Sequence, residues 1–250
     1  MSRFKKPLLF TLSFLPVAVA GGYLSILTSV SSMEPSMLEA AIAQVGGREL
    51  LIVVSTIQPV VLALLCAFFG YILSEKTGLM RPFRFGKTAL CKTLLVSLLG
   101  GAFLSLDAWT FARWIPGLDY EAAGAFDAVT WIASVLYGGV VEEVMMRLFL
   151  MSLLVFLGWK LFFKTRESAP AGILIGANVI AAAVFAAGHL PATLQTFGAL
   201  TPMLLVRCFL LNGAFGVVFG RLYRKHGIQY AMLAHMLLHI VSRTIWLIAF

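Results

Sequence analysis

Seven long apolar runs constrain this chain more than any other feature of its sequence. A run of about 18 or more apolar residues is long enough to cross a bilayer as a helix. Lipid cannot satisfy backbone polar groups, so such runs fold as helices that pair those groups internally. We therefore predict an all-α, polytopic transmembrane bundle of about seven helices, with eight as the alternative. The runs are 8–30, 50–74, 89–106, 128–158, 171–195, 201–220 and 229–249.

The composition agrees with an integral membrane protein. The chain is 60% hydrophobic and 12% charged, whereas about 25% of the residues of a soluble domain are charged. No repeat, low-complexity tract or linker divides it, so we expect one membrane domain over residues 1–250. Cys66, Cys91 and Cys208 are scattered and form no CxxC pair, which argues against a disulfide framework or a thiolate metal site.

The charged residues are distributed unevenly between alternate gaps. With the N-terminus in the cytoplasm, the inside segments hold 14 of the 19 basic residues and the outside loops hold seven of the 11 acids. This asymmetry follows the positive-inside rule and indicates an orientation signal rather than a nucleic-acid-binding surface. The inside basic residues are Arg3, Lys5, Lys6, Lys76, Arg81, Arg84, Lys87, Lys92, Lys160, Lys164, Arg166, Arg221, Arg224 and Lys225, and the outside acids are Glu34, Glu39, Glu49, Asp107, Asp119, Glu121 and Asp127.

The first run has a second interpretation. Its basic start and the sequence Ala18-Val19-Ala20 also resemble a cleavable signal peptide. Because the apolar run continues to about Val30, we favour a retained helix.

Ionisable side chains inside the runs are the next constraint. A charge at the centre of a spanning helix costs about 2.5–3.5 kcal/mol on insertion scales, so such residues usually face the bundle interior and mark a function. Histidines accompany them in three places. The ionisable residues are Glu142, Glu143, Arg147, Arg207 and Arg243, and the histidines are His189, His235 and His239.

The stretch VVEEVMMRLFL places two glutamates and an arginine together. Glu143 and Arg147 are separated by four residues, so they share a helix face and can form an ion pair. Glu142 lies about 100° further around the helix, which leaves it for a partner on another helix. The alternative is a polar contact between helices in which both acids are structural.

The histidines also have functional and structural interpretations. His189 follows the small residues of AAAVFAAGHLP, which allow close helix packing, but a capping or interfacial histidine before Pro191 is the alternative. His235 and His239 stand at i and i+4 and share one face, a spacing that suits metal ligands as well as polar helix contacts. The Gly216-xxx-Gly220 spacing predicts close packing of the sixth helix.

Taken in order, EEVMMR, FAAGH and HMLLH resemble the motifs of one family, the CPBP intramembrane proteases. This family includes the CAAX-prenyl endopeptidases and the bacteriocin-processing and immunity proteins, and its motifs are EExxxR, FxxxH and HxxxN or HxxxD. The resemblance covers about 130–245. Phe185 and His189 fill the second motif, but His239 stands where the family has Asn or Asp.

The resemblance implies an intramembrane glutamic endopeptidase that needs no cofactor. Glu142 is then the general base that activates water, and His189 orients that water. His235, with a contribution from His239 that the departure puts in doubt, stabilises the oxyanion, while Glu143 and Arg147 hold the helix. The implied partners are the lipid bilayer and a membrane-anchored peptide or protein, without nucleic acid, in a bacterial inner membrane.

Three alternatives remain open from the sequence. A zinc protease can use Glu142, His189 and His235 as metal ligands, since all are of allowed types. Intramembrane Glu, His and Arg also serve proton-coupled transporters, and an immunity or scaffold protein can use the fold without catalysis. The candidate substrates are a lipidated C-terminus, a bacteriocin or pheromone precursor and a sorting tail.

The span boundaries inferred from hydropathy conflict with a single site that contains both His189 and His235. They separate His189 and His235 by up to roughly 20 Å in depth. Two arrangements remove the conflict: the fifth span continues to about residue 197, or part of 128–141 is a separate re-entrant piece. The loop 106–127 carries Trp109, Trp114 and Tyr120, and we expect it along the outer interface.

Overall fold

The computed structural model describes residues 4–118 and 127–249, and the regular structure in these ranges is helical. The predicted all-α fold is therefore confirmed. The helices are labelled in chain order: α1 (Lys5–Ser31), α2 (Pro35–Val45), α3 (Arg48–Thr77), α4 (Lys87–Ser105), α5 (Asp107–Phe111), α6 (Ala128–Ala133, Ser134–Glu142, Val144–Met151 and Ser152–Phe162), α7 (Ala171–Gly188), α8 (Leu190–Phe197), α9 (Pro202–Cys208, Phe209–Ala214 and Phe215–His226) and α10 (Ile228–Ala249).

Within the described ranges, six helical stretches are long and apolar enough to cross a membrane. They are α1, α3, α4, α7 with α8, α9 and α10. The fourth predicted run, 128–158, is present as the helix α6, which carries the two glutamates and the arginine. The chain is thus an integral, multi-pass membrane protein with about the predicted number of helices.

The fifth span is longer than its first predicted boundary. The apolar stretch continues from Ala171 to Phe197, with His189 at the junction of α7 and α8. Residues 128–141 are part of the continuous helix α6, so the re-entrant arrangement is wrong. The estimated depth difference between His189 and His235 came from ending the fifth span too early.

Helix α6 is the centre of the bundle. It contacts α1, α3, α7, α9 and α10. Its apolar residues Val141, Val144, Leu148, Met151 and Val155 are fully buried. The exposed residues of the surrounding helices are mostly large and apolar, as expected of helices that face lipid.

Segments of α6 and α9 have wide turns in which the backbone bonds run from i to i+5. They are Ser134–Glu142 and Val144–Met151 in α6 and Phe209–Ala214 in α9. Wide turns of this kind occur frequently at functional sites. As a result, side chains in and after a wide turn point in directions that differ from those expected at 3.6 residues per turn.

Glycines allow helices to approach closely in two places. A Cβ at Gly216 would stand 3.0 Å from Ala182 of α7, and Asn178 of α7 donates a hydrogen bond to the Val217 carbonyl at 2.9 Å. The close packing predicted for the Gly216-xxx-Gly220 spacing is therefore confirmed. Gly139 of α6 likewise lies directly against α10.

The two ends of the bundle carry opposite charges. Helices α1, α4, α7 and α10 begin at one end, where the Tyr230 hydroxyl accepts a hydrogen bond from the Gly86 N–H at 2.6 Å. At the other end, Ser105 of α4 donates to the Ser242 carbonyl of α10 at 3.3 Å. We call the first the basic end, because it carries Lys5, Lys6, Lys76, Arg81, Arg84, Lys87, Lys92, Lys160, Lys164, Arg166, Arg221, Arg224 and Lys225, and the second the acidic end, because it carries Glu34, Glu39, Glu49, Asp107 and Asp127.

The described part of the loop 106–127, residues 106–118, lies at the acidic end. Trp109 and Trp114 are both exposed there, and Arg113 lies over the Trp114 ring with its guanidinium carbon 4.0 Å from the ring centroid. Tyr120, the third aromatic residue of the predicted loop, lies outside the described residues, as do Asp119 and Glu121.

Candidate active site

A cavity of about 210 Å³ between α1, α6, α7, α9 and α10 brings four predicted site residues together. Glu142, His189, His235 and His239 all line it, although they come from three different helices. We call it the site cavity. Its other lining residues are Ser25, Thr28, Thr130, Ala133, Ser134, Tyr137, Gly138, Phe185 and Asn212.

Glu142 faces this cavity without a hydrogen bond to any residue in 4–118 or 127–249. A Cβ built on Gly138 would stand 3.7 Å from Glu142 Oε2 and 3.1 Å from His239 Nε2. The carboxylate of Glu142 and the ring of His239 therefore flank the same small space. The missing side chain of Gly138 keeps that space open.

Glu143 and Arg147 lie behind the cavity wall, fully buried. The predicted ion pair is present, with Arg147 Nη1 3.1 Å from Glu143 Oε1. The same Oε1 accepts a hydrogen bond from His235 Nδ1 at 2.9 Å. We expected Glu142 to hold the partner on another helix, but Glu143 holds it, because Glu143 is the residue of the pair turned toward α10.

Arg147 extends the contact to α9 and α7. Its Nη2 donates to the Gly216 carbonyl at 3.2 Å, and its guanidinium carbon lies 4.7 Å from the centroid of the Phe185 ring. A buried charge is tolerated only when it is paired and hydrogen-bonded. Arg147 and Glu143 thus compensate each other and join α6 to α7, α9 and α10.

His189 is oriented by Phe185, the first residue of the FxxxH motif. Its Nδ1 donates to the Phe185 carbonyl at 2.8 Å, and its ring meets the edge of the Phe185 ring at 4.7 Å between centroids. Because a carbonyl only accepts, Nδ1 carries the proton of a neutral ring and Nε2 remains an acceptor. The spacing of Phe185 and His189 therefore fixes both the position and the tautomer of the histidine.

His235 and His239 share one helix face, as their spacing predicts. Their rings stack with centroids 4.9 Å apart, and His235 stacks on Phe219 at 4.6 Å. Glu143 accepts from His235 Nδ1, so a neutral His235 ring also has an acceptor at Nε2. The described residues leave both ring nitrogens of His239 without a hydrogen bond.

Asn212 of α9 is a site residue that the sequence reasoning missed. It lines the cavity from the wide-turn segment, and its Nδ2 donates one hydrogen bond to the Cys208 carbonyl at 3.1 Å. Nδ2 also donates to Cys208 Sγ at 3.7 Å, and the amide oxygen makes no hydrogen bond with a described residue. The usable signal was a neutral amide inside the apolar run FLLNGAF, which a search for charges and histidines does not find.

An apolar cleft adjoins the site cavity between α6 and α7. It measures about 200 Å³ and shares Glu142 and His189 with the site cavity. The same carboxylate thus borders a polar space and an apolar one. The other residues of the cleft are Tyr137, Met145, Met146, Val184, Phe185 and Gly188.

A passage of about 410 Å³ adjoins the site cavity between α1 and the start of α6, and shares Thr28 and Thr130 with it. We call it the α1–α6 passage. Asp127 lies in its wall and caps α6. The pKa of Asp127 is lowered, chiefly because the Thr130 hydroxyl, and then the N–H groups of Thr130 and Val129, donate hydrogen bonds to its carboxylate. The remaining lining residues are Leu27, Ser31, Ser32 and Val129.

The two other intramembrane arginines lie beside a cavity of about 280 Å³ that also touches His239. Arg207 Nε donates to both carboxylate oxygens of Asp107, at 2.8 and 3.1 Å, and Arg207 Nη2 contacts Asp107 as well. This ion pair compensates Arg207 at the acidic end. Arg243 lines the same cavity.

The zinc alternative requires three clustered ligands. Within residues 4–118 and 127–249, no three His, Cys, Asp or Glu side chains are placed to hold a metal ion. Glu142, His189 and His235 share a cavity, but their arrangement does not fit a zinc site.

Comparison with known families gives one match. Residues 124–241 match the model described as type II CAAX prenyl endopeptidase Rce1-like. The matched segment spans all three motifs and the helices α6 to α10 that carry them. It confirms the resemblance that the motifs indicate. Neither the comparison with curated proteins nor the comparison with solved structures found a match.

Proposed function

We propose, on the premise that this chain belongs to the Rce1-like type II CAAX prenyl endopeptidase family, that it hydrolyses a peptide bond with a water activated by Glu142. One observation carries the proposal: Glu142, His189, His235 and His239 line one cavity although they lie on three helices. A set of side chains used only for packing has no reason to converge on open space. Residues that pack, Glu143 and Arg147, lie behind the wall instead.

The reaction follows from the chemistry of these groups. Glu142 takes a proton from a water whose other contact is His189 Nε2, and the resulting hydroxide attacks the carbonyl carbon of the substrate. Positioned acid–base groups of this kind contribute about 10²–10⁴-fold to a rate. Glu142 then gives its proton to the departing nitrogen, the C–N bond breaks, and a carboxylate and an amine leave.

The carbonyl oxygen becomes an oxyanion in the transition state and needs donors. His239 Nε2 can donate as a neutral ring, and Asn212 Nδ2, whose second contact is Cys208 Sγ at 3.7 Å, lines the same cavity. His235 can donate from Nε2 only as an imidazolium, because its Nδ1 is engaged with Glu143, whose charge Arg147 already compensates. Donors fixed in a site that excludes bulk water need no reorganisation when the charge develops.

The apolar cleft indicates the kind of substrate. Glu142 and His189 border it, and Met145 and Met146 form much of its wall. Methionine side chains are flexible and fit irregular apolar groups. We therefore place an apolar side chain or a lipid modification next to the scissile bond, in a peptide or protein anchored in the membrane.

The remaining parts of the proposal concern cofactor and location. No cofactor is assigned, since the chain's own carboxylate and histidines supply the base and donors, and residues 4–118 and 127–249 contain no three His, Cys, Asp or Glu side chains placed to hold a metal ion. The segregation of basic residues supports a cytoplasmic N-terminus, and we place the chain in a bacterial inner membrane as part of the proposal.

The test is a comparison of Glu142→Gln with the unaltered chain. Each is co-expressed with membrane-anchored precursors from the same genome, and the precursors are examined by mass spectrometry. We expect a shortened product that decreases by about 10²–10⁴-fold with Glu142→Gln, because the amide cannot accept the proton of water.

Glu49→Gln is the matched control, since Glu49 is an exposed acid at the start of α3. This substitution removes a carboxylate that lies far from the site cavity. The variant is expected to cleave the precursors as the unaltered chain does. Equal shortening by the Glu142→Gln chain contradicts the proposal and favours a transporter or a non-catalytic immunity protein on this fold.

A further inference from the structure

The segment that joins α3 to α4 presents aromatic and basic side chains at the basic end. We call residues 78–87 the RPFRF loop, after the sequence at their centre. The rings of Phe83 and Phe85 are 72% and 56% exposed and meet edge to face, with their centroids 5.7 Å apart. The exposed cations of the loop are Arg81, Arg84 and Lys87.

Side chains at the start of α10 hold the backbone of the RPFRF loop. The buried amide of Gln229 donates to the carbonyls of Pro82 and Arg84, both at 3.1 Å. The buried Tyr230 hydroxyl accepts the Gly86 N–H. The loop therefore presents its exposed side chains from a fixed backbone, and a surface that is already ordered loses less entropy when it binds a ligand.

The cations of the RPFRF loop have no acidic neighbours along the chain. Residues 76–106 and 168–250 contain no Asp or Glu. A Cβ built on Gly227 would stand 3.1 Å from Arg81 Cβ, so the loop packs against the end of α9, where Lys225 adds a fourth exposed cation. Among the residues that the structure describes, none of these four cations forms an ion pair. Together they form a patch of uncompensated positive charge.

The RPFRF loop lies beside the membrane surface, because it directly joins the spans α3 and α4. Exposed phenylalanine rings next to basic side chains are typical of segments that lie at the boundary between headgroups and acyl chains. Guanidinium groups bind phosphate through two parallel hydrogen bonds. Clusters of about four to eight Lys and Arg residues beside a span bind anionic lipid headgroups.

We propose that the RPFRF loop, together with Lys225, binds the headgroup of an anionic phospholipid in the leaflet at the basic end. The loop cations contact the phosphate, and Phe83 and Phe85 contact the acyl chains next to it. A lipid fits better than a soluble phosphate, which would leave both rings in water. This lipid site is separate from the site cavity, and its test does not depend on cleavage.

The test measures lipid binding to the full chain, purified in detergent and delipidated, by native mass spectrometry. The protein is titrated with phosphatidylglycerol and, separately, with phosphatidylcholine that has the same acyl chains. We expect phosphatidylglycerol to bind about 10²-fold more tightly. The difference should decrease as the concentration of ammonium acetate rises, since salt screens exposed charges. Equal affinities for the two lipids overturn the proposal.

A charge-removing variant tests the RPFRF loop itself. Arg81→Gln, Arg84→Gln and Lys87→Gln are combined, which keeps the backbone carbonyls that Gln229 holds. Loss of about fivefold in affinity for each charge predicts that phosphatidylglycerol binds about 10²-fold more weakly and that phosphatidylcholine binds as before. Arg84→Gln alone, with an expected loss of about fivefold, replaces the triple variant if that protein does not accumulate. An unchanged affinity for phosphatidylglycerol contradicts the site.

The loop between α6 and α7 supplies the matched control at the same end. Lys160→Gln, Lys164→Gln and Arg166→Gln also remove three exposed cations. Two of these already lie over rings, Lys160 Nζ at 3.6 Å from the Trp159 centroid and the Arg166 guanidinium carbon at 5.6 Å from the Phe163 centroid. We expect this variant to keep the affinity of the unaltered chain. An equal loss in both triple variants overturns the assignment to the RPFRF loop.

Two further measurements identify the occupant of the lipid site. Phe83→Ser keeps every charge and is expected to weaken phosphatidylglycerol binding, because an apolar contact with the acyl chains is lost. Glycerol 3-phosphate and an acidic peptide, each at the concentration of the lipid, are expected to leave the lipid bound. Displacement by either competitor, or an unchanged affinity of the Phe83→Ser chain, overturns a lipid as the occupant.

Discussion

Adjacent glutamates have different environments in this protein. Glu142 faces open space beside His239, whereas Glu143 is fully buried against Arg147 and His235. A rotation of about 100° between neighbouring residues of a helix is enough to separate them. Residue identity alone therefore does not assign a role to either acid, and the two should respond differently to substitution.

Arg147→Ala is expected to destabilise the fold rather than act on the reaction directly. Removing one partner of a buried ion pair leaves an uncompensated charge, which costs about 3–5 kcal/mol. A lower unfolding temperature in detergent measures the effect. The double substitution Glu143→Gln with Arg147→Met removes both charges and should recover much of the loss, and a double variant no more stable than Arg147→Ala would contradict this account.

Asn212→Ala is expected to lower kcat without a matching rise in KM. Loss of one oxyanion donor costs about 10²–10³-fold in kcat in well-studied cases, and the Asn212 amide lines the site cavity with only a long contact to Cys208 Sγ as its second hydrogen bond. Asn178→Ala is the control, because that amide is engaged with the Val217 carbonyl outside the cavity. An unchanged kcat for Asn212→Ala would show that its amide does not reach the reacting oxygen.

His239→Asn is expected to retain activity, whereas His239→Leu is expected to lose it. Asparagine keeps a neutral donor at the position where the family has Asn or Asp, and leucine keeps bulk without a donor. Cleavage rates for the two variants, measured on the same precursor, check this. Equal rates would assign His239 to packing against His235.

At the scale of the helices, the wide turns of α6 and α9 are coupled to the site. Glu142 closes the first wide segment, Arg147 lies in the second and Asn212 lies in the third. A regular helix would rotate each side chain away from its present neighbours. Sequence periodicity assumes 3.6 residues per turn, so it predicts that these helices exist but not which way their polar residues face.

Gly138 and Gly139 of α6 allow a paired test of site and packing. At Gly138 an added methyl enters the space between Glu142 and His239, so Gly138→Ala is expected to reduce cleavage while the protein remains folded. At Gly139 it would stand 2.4 Å from Met236 Cγ and 2.9 Å from Met236 Cα, so Gly139→Ala is expected to reduce stability.

Cleavage rate and thermal unfolding of both variants in detergent separate these effects. Loss of folding in Gly138→Ala, or a normal unfolding temperature in Gly139→Ala, would contradict the assignment. Overpacking a tight contact typically costs about 1–3 kcal/mol, which such a measurement resolves.

For the whole molecule, the proposed reaction uses no metal, so we expect chelators to leave its rate unchanged. Incubation with a strong zinc chelator is expected to leave the cleavage rate unchanged, because the proposed base and donors are protein side chains. The assay compares treated and untreated protein on one membrane-anchored precursor. Loss of activity that returns on adding zinc would instead support the alternative in which Glu142, His189 and His235 are ligands.

Much of the architecture could be predicted from the sequence. The apolar runs predicted the spans, and the order of the motifs indicated which helices meet. Depth was less predictable, because a span boundary inferred from hydropathy missed the continuation from α7 through His189 into α8. The orientation of Glu143 and the presence of Asn212 in the site depend on helix rotation and packing, which hydropathy and charge do not encode.

The buried contact of Glu143 with His235 joins α6 to the last helix of the chain. During biosynthesis α6 enters the membrane while α10 has still to be translated. A nascent chain therefore contains Glu142, the proposed base, before it contains either imidazole of α10, and until then Glu143 and Arg147 lack their third partner. Under the proposed mechanism, hydrolysis requires that the final span has inserted, so activity would begin only after synthesis is complete.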